Sequence, residues 1–428
     1  MTTSRSPGVR RGFCVRSTVV VLALGFASFA HAQASPGVVG EVRVHGNHTT
    51  PNADILALVG DVVGKPATDA LVAEITGKLE RSRRFDGVEV RKRFRSIENP
   101  DDILLMVVVD EVPAIDTLDL TPGPMKKFWS SGMFMPILHS EDGYGFTYGA
   151  RISFVDRLGP RSRITVPLTW GGERGARVQL ERAFRSGPVE RIGGEYGITQ
   201  LENPHYEIDD RRIGFGGRLD VAPARWLRLG AGVRIDDVQF GDVEDKVSRL
   251  GGEVTIDTRV DPAFPRNAIH AMFAIDRVQF EAGDANQKKA DVRGYVGLFG
   301  QTVLAVRGLS ITSNSALPPH EHNLLGGAAN LRGYATGYKA GDNLAAVSAE
   351  LRIPITSPLS IGRFGVKAFA DAGVVYGVGE KLTDQDFEDR GIGGGVYLHF
   401  TVVSLSLDLA RARSGDTRYH FGMGVTFK

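Results

Sequence analysis

The sequence predicts an all-β transmembrane barrel of about sixteen antiparallel strands, preceded by one small α+β domain. Three observations carry this reading. The chain opens with an export signal, and no later apolar run is long enough to cross a bilayer as a helix. Roughly three hundred residues at its C-terminal side alternate apolar and polar in short segments. Hydrocarbon leaves no backbone polar group unsatisfied, so an exported chain without helical spans crosses a membrane only as a closed barrel.

The signal comes first. Arg5, Arg10, Arg11 and Arg16 precede the apolar run Val19 to Phe29 and the small-x-small stretch Ala30-His31-Ala32. Residues 1–32 therefore read as a secretory signal peptide, with removal expected after Ala32. The run is short for a membrane anchor, which needs about 20 residues. Cys14, the only cysteine, leaves with the signal, so no disulfide, thiolate nucleophile or cysteine-metal site is expected. The four arginines leave too, and 51 basic against 50 acidic residues become 47 against 50. A nucleic-acid partner would call for a basic excess, so none is expected.

Residues 37–113 read as the small domain. Glu41-Val42-Arg43-Val44 alternates as a strand and breaks at Gly46-Asn47. Thr50-Pro51 offers an N-cap and a first-turn proline for a helix through Ile55 and Leu58. A second helix runs from Thr68, with Leu71, Ile75 and Leu79 four apart on one apolar face. Val88 to Arg91 and Ile103 to Val109 are strands separated by the polar turn Asn99-Pro100-Asp101-Asp102.

Residues 125–428 read as the barrel. From Arg163 to Trp170 the residues Ile164, Val166, Leu168 and Trp170 share one face. Val347, Ala349, Leu351, Ile353 and Ile355 alternate with Ser348, Glu350 and Arg352. Three leucines alternate with Ser404, Ser406 and Asp408, and the last strand places Tyr419, Phe421, Met423, Val425 and Phe427 on one face. The segments begin near residues 132, 144, 161, 175, 188, 211, 225, 246, 268, 288, 301, 344, 363, 390, 402 and 418. A soluble sandwich would alternate as well. The export signal, the missing disulfides and the penultimate Phe427, the usual C-terminal barrel signal, favour the membrane.

One connection, Ser313 to Asn343, is far longer than the others. Parity assigns Phe364, Val366, Ala368, Ala370, Ala372, Val374 and Tyr376 to lipid, which turns Lys367, Phe369, Asp371 and Gly373 inward. A carboxylate in the lumen needs a cation or several donors. Arg332, on the long loop, is its natural partner, and Glu350, Arg352 and Asp408 also face the lumen.

The order strand, helix, helix, strand, strand, with Arg84-Phe85-Asp86-Gly87-Val88 and Asp110-Glu111-Val112-Pro113, resembles the polypeptide-transport-associated (POTRA) domain. Leu331-Arg332-Gly333-Tyr334 resembles the Val-Arg-Gly-Phe/Tyr loop motif of the BamA/TamA outer-membrane assembly-factor superfamily, the bacterial surface-antigen family. Phe369-Ala370-Asp371-Ala372-Gly373 is similar to its Phe-x-Asp-x-Gly strand motif, and Asp257-Thr258-Arg259 with Pro265-Arg266-Asn267 to its mid-barrel turn. The chain departs from the central assembly factors in having room for one POTRA unit.

The resemblance implies a barrel in the bacterial outer membrane with the POTRA domain in the periplasm. It implies outer-membrane lipid as one partner, and an unfolded client polypeptide at the POTRA edge as another, captured by β-augmentation. It also implies that Arg332 docks on the strand motif and holds the loop inside the barrel. Insertion or translocation of polypeptide is the function expected; the alternative is a channel-type or structural barrel whose POTRA unit is a spacer or plug. The chain is not expected to be an enzyme, since no nucleophile constellation has recognisable spacing, and no cofactor is implied. His320-Glu321-His322 offers a metal reading, beside which a hydrated loop tip is the plainer one.

Overall fold

The computed structural model describes residues 37–47, 50–82, 84–95, 99, 101–111, 132–155, 157–159, 161–184, 187–357, 362–399 and 403–425. The expected signal peptide and Phe427 lie outside the described residues.

The small domain consists of β1 (Val38–His45), α1 (Asn52–Val59), α2 (Asp69–Arg81), β2 (Phe85–Phe94) and β3 (Asp102–Glu111). Its sheet order is β1-β3-β2, with β1 parallel and β2 antiparallel to the central strand. The α2 helix starts where the Thr68 hydroxyl accepts the Leu71 N–H at 3.2 Å, a cap contributing about 1 kcal/mol. Its Leu71, Ile75 and Leu79 stripe is buried against Ile55, Val59, Leu105 and Val107. Leu104 and Met106, on the opposite face of β3, are buried as well, which explains its unbroken apolar run. Thr50 does not cap α1 as the sequence suggests. Pro51 is the N-cap without a side-chain bond, and the Asn47 amide closes the turn by donating to the Thr50 carbonyl at 2.8 Å and to Asn52 Oδ1 at 2.7 Å.

The start of β1 is covered by residues 64–67, through Val39 N–H to the Lys65 carbonyl at 2.9 Å and Gly64 N–H to the Val39 carbonyl at 2.8 Å. β2 forms the other edge of the sheet.

Sixteen strands form the barrel: β4 (Gly132–Glu141), β5 (Gly145–Val155), β6 (Ser162–Gly171), β7 (Glu173–Ala183), β8 (Val189–Asn203), β9 (Ile208–Ala224), β10 (Leu227–Phe240), β11 (Val243–Asp257), β12 (Ala268–Phe280), β13 (Gly283–Gly297) and β14 (Val303–Ser313), then, after a long loop, β17 (Asn343–Thr356), β18 (Arg363–Tyr376), β19 (Asp389–His399), β20 (Val403–Ala412) and β21 (Thr417–Val425). The loop carries its own short hairpin, β15 (Asn323–Leu325) and β16 (Lys339–Gly341). Consecutive barrel strands pair antiparallel, and the sheet closes where β21 meets β4. Among the described residues one pair, Met423 with Ser140, bridges that closure, whereas β10 and β11 share fourteen.

The period-two pattern decides what each face meets. Tyr148, Trp170, Tyr196, Phe215, Leu250, Ile275, Ile392 and Leu407 stand exposed on the outside, where acyl chains would cover them. The inside is polar and self-paired: Arg212 with Asp210, Arg234 with Asp236 and Arg293 with Asp291 are ion pairs two residues apart on one strand. Tyr376, expected on the lipid side, is buried.

The small domain sits against the strand turns at one end. Arg161 is 3.5 Å from Glu80, Arg225 3.3 Å from Asp69, and Asp261 3.5 Å from Arg93, while the Arg363 guanidinium donates to the Phe94 carbonyl. The long loop enters the barrel from the opposite end.

Candidate functional site

The site is built by β17, β18 and β20 on one wall and by the loop that folds down onto them. Asp371 and Phe369 occupy inward positions of β18, Ser348 and Glu350 of β17, and Asp408 of β20. Asp371 lies opposite Ser348 and Glu350 opposite Phe369 in the register, so four side chains converge at one height.

Arg332 fills the space between them. Its Nε donates to Asp371 Oδ2 at 2.7 Å and its Nη2 to Oδ1 at 2.9 Å, a two-pronged fork that a planar guanidinium matches and an ammonium does not. The Arg332 backbone N–H adds a third bond to the same carboxylate at 3.1 Å. Nη1 reaches Glu350 at 2.5 Å and Asp408 at 3.4 Å, and Nη2 donates to the Ser348 hydroxyl at 3.2 Å. Phe369 lies flat beneath, its ring centroid 3.4 Å from the Arg332 Cζ. Arg352 pairs with Glu350 at 2.7 Å and Lys367 with Asp408 at 2.9 Å. Three carboxylates thus meet three cations. Asp408, expected to face the lumen, is 4% exposed and a member of this group.

The flanking motif residues make room for the loop. Gly333 has φ 98°, and a Cβ there would sit 3.0 Å from the Ala412 nitrogen. A Cβ on Gly373 would meet Leu325 at 2.6 Å. Leu331 is fully buried, packed with Leu325, Tyr334, Leu344 and Ala412. Burying it against this wall contributes on the order of 2 kcal/mol to loop docking. The Tyr334 hydroxyl donates to the Arg390 carbonyl at 3.4 Å.

Two further anchors are absent from the motif reading. The first joins the loop to both edges of the barrel's closure. Gly333 N–H donates to His420 Nε2 at 2.9 Å, and His420 Nδ1 lies 2.6 Å from Asp142 Oδ2. His420 belongs to the last strand and Asp142 to the turn after the first. Burial alone would raise the Asp142 carboxyl, but His420 and the Thr336 hydroxyl bring it below the usual carboxylate range. The second anchor is Glu321, which accepts Arg212 at 2.8 Å and Arg249 at 2.6 Å from the far wall, while the adjacent His320 is buried. The His320-Glu321-His322 segment is therefore a buried strut, correcting the hydrated-tip reading. Its inward parity partners on β9 and β11 were the available sequence signal. The mid-barrel turn keeps its own pairs: Arg259 holds Asp257 at 2.8 Å, and Asn267 accepts the Gly297 N–H at 2.8 Å.

A closed sixteen-strand barrel, apolar outside and ion-paired inside, is a transmembrane barrel of the bacterial outer-membrane type. The Omp85 superfamily domain matches residues 147–427, and the chain belongs to that superfamily. Among solved structures the chain is similar to BamA from Haemophilus ducreyi lacking POTRA domains 1–3, with a TM-score of 0.60 and 16% identity over 91% of this chain and 85% of that one. It is similar to CdiB from Escherichia coli with a TM-score of 0.52 and 14% identity over 92% and 77% of the two chains. At these identities the likeness concerns the fold, and the family places the barrel in the outer membrane. The small α+β region fits a POTRA domain. No curated protein sequence matches the chain.

Proposed function

We propose that this barrel assists the insertion or translocation of polypeptides at the outer membrane. The small domain, facing the periplasm, would take an extended client segment along its edge strand β2. The barrel would then present its closure between β21 and β4, where a new strand can pair. The observation that carries this reading is that closure: among the described residues, one register pair joins β21 to β4, at a junction whose neighbours are paired along their length. The edge strand of a sheet is a template for pairing with another strand.

Arg332 and its three carboxylates act in this account as the clamp that fixes the loop while the closure works. Tying the loop to β17, β18 and β20 on one side and to Arg212 and Arg249 on the other sets a strut across the lumen. This arrangement speaks against the alternative of an open channel, whose lumen would be clear. No side chain here is assigned a catalytic role. The reading is tested by deleting the chain and measuring the outer-membrane protein complement. Loss of particular barrel or surface-displayed proteins, restored by the intact chain and poorly by Arg332→Ala, is expected; an unchanged complement would contradict it.

A further inference from the structure

The outer surface near the closure carries a feature that the clamp and the closure leave unused. On β19 and β20 the outward positions run apolar until the loop end, with Ile392 and Leu409 exposed, and then change to arginine. Arg390 and Arg411 share the parity of those two residues, and Ile392 lies opposite Arg411 in the register. Arg413 N–H donates to the Arg390 carbonyl at 2.8 Å, which sets the third arginine beside the first. All three side chains are exposed.

None of the three makes an ion pair among the described residues. Arg390 Nε donates to the Phe387 carbonyl at 2.7 Å, a neutral partner. Of the neighbouring acids, Asp389 holds Lys339 at 2.5 Å and Asp416 accepts the Ser414 hydroxyl at 2.9 Å, while Asp386 and Glu388 lie on the preceding loop and none of these acids is ion-paired with the three arginines among the described residues. Other parts of the outer rim are different. Arg277 and Asp284 pair at 3.2 Å, and Glu244 and Lys246 alternate along β11.

Strand length fixes the height of the cluster. A tilted strand of about 9–11 residues matches the hydrocarbon thickness. Within the described residues β19, β20 and β21 span 11, 10 and 9 residues, one crossing of the hydrocarbon, so the arginines at their loop end lie at headgroup level, whereas the 13 to 17 residues of β8 to β13 run well beyond it. Three guanidiniums without an ion pair at that level, directly above an apolar face, match an anion that is carried on acyl chains. Guanidinium is the group best suited to bind phosphate oxygens in pairs.

We propose that Arg390, Arg411 and Arg413 form a binding site for the phosphorylated headgroup of an outer-leaflet glycolipid, with its acyl chains along Ile392 and Leu409. The site adjoins the closure without depending on its opening, so it stands apart from the function proposed above. The test uses the full mature protein in phosphatidylcholine nanodiscs doped with a diphosphorylated lipid A or with its dephosphorylated form. Retained lipid is counted by native mass spectrometry. The intact protein is expected to retain the phosphorylated lipid selectively, and Arg390→Gln/Arg411→Gln/Arg413→Gln to lose it by roughly tenfold or more. Lys246→Gln/Arg277→Gln, on another sector, serves as the control and should retain it. Should the triple variant lose the heat-modifiable gel mobility of a folded barrel, the single Arg411→Gln variant takes its place, with a loss in the same direction expected. Equal retention by intact and variant proteins, or of both lipid forms, would overturn the proposal. So would protection against thermal unfolding by inorganic phosphate alone equal to that given by the lipid.

Discussion

Replacing Arg332 by alanine would take one cation from a buried group of three carboxylates and three cations. Asp371 would lose the two guanidinium hydrogen bonds and keep those from the backbone N–H of residue 332 at 3.1 Å and the Ser348 hydroxyl at 2.6 Å. Glu350 would retain Arg352 and Asp408 would retain Lys367. One carboxylate of the three is therefore stranded. Breaking a buried pair from one side costs about 3–5 kcal/mol, because the remaining charge stays desolvated. Arg332→Lys keeps the charge and loses the fork, and should fall between alanine and the parent chain. Adding Asp371→Asn to Arg332→Ala removes the stranded charge and leaves two balanced pairs. The double variant should thus be less destabilised than the sum of the singles, with a coupling on the order of 1–3 kcal/mol. Urea unfolding in detergent, followed by heat-modifiable gel mobility, measures the parent chain, the single variants Arg332→Ala, Arg332→Lys and Asp371→Asn, and the double variant, and maleimide labelling of a Thr336→Cys reporter measures loop release. If the double variant were additive, or if the alanine variant lost less than about 1 kcal/mol with its loop still protected, the charge argument would be wrong.

Gly333→Ala adds a Cβ against the Ala412 backbone at a positive φ, and should loosen the loop by about 1–3 kcal/mol in the same labelling assay. His420→Ala leaves the Gly333 N–H and the Asp142 carboxylate without their partner; the disulfide yield of a Ser140→Cys/Met423→Cys pair should fall, reporting a looser closure, whereas an unchanged yield would detach His420 from the closure. Glu321→Gln removes the charge facing Arg212 and Arg249, and planar-bilayer recording should show larger or more frequent conducting events than the parent chain. Acid should weaken the docking of the small domain. The hydrogen bond from Lys92 holds the Asp69 carboxyl below its ordinary 3.8, against the opposing effect of burial, and Arg225 adds to the lowering. A carboxyl with a lowered folded value contributes above its ordinary value and loses that contribution as pH falls through the folded one. The distance between spin labels attached at neutral pH to a Glu80→Cys/Arg161→Cys chain should therefore lengthen only below that range, and Asp69→Asn should flatten the profile.

Much of the barrel was legible because its physics is local and repetitive. Alternation marks a strand whether or not its partner is known, and turn residues punctuate it. The expected strand starts at 132, 268 and 363 coincide with those of β4, β12 and β18, and the largest difference, 288 against Gly283, falls where Asn286, Lys288 and Lys289 mask the pattern. Parity also places Asp371 inward, and the long loop brings Arg332 within reach of it. What alternation does not encode is which inward groups meet across the lumen. His420 with Asp142, and Glu321 with Arg212 and Arg249, are separated by 278, 109 and 72 residues. Their juxtaposition follows from barrel closure and loop path, which no window of sequence contains. The α1 cap was misread for a smaller reason: Asn47, outside the helix, competes for the turn that Thr50 was expected to close.

The central claim is that the β21–β4 closure opens while the loop stays clamped. Locking it with the Ser140→Cys/Met423→Cys disulfide tests this most directly, with the outer-membrane protein complement as the readout. The account predicts that the oxidised, locked chain fails to restore the proteins lost on deletion, and that reduction of the disulfide recovers them. Full restoration by a chain shown to be locked would contradict it.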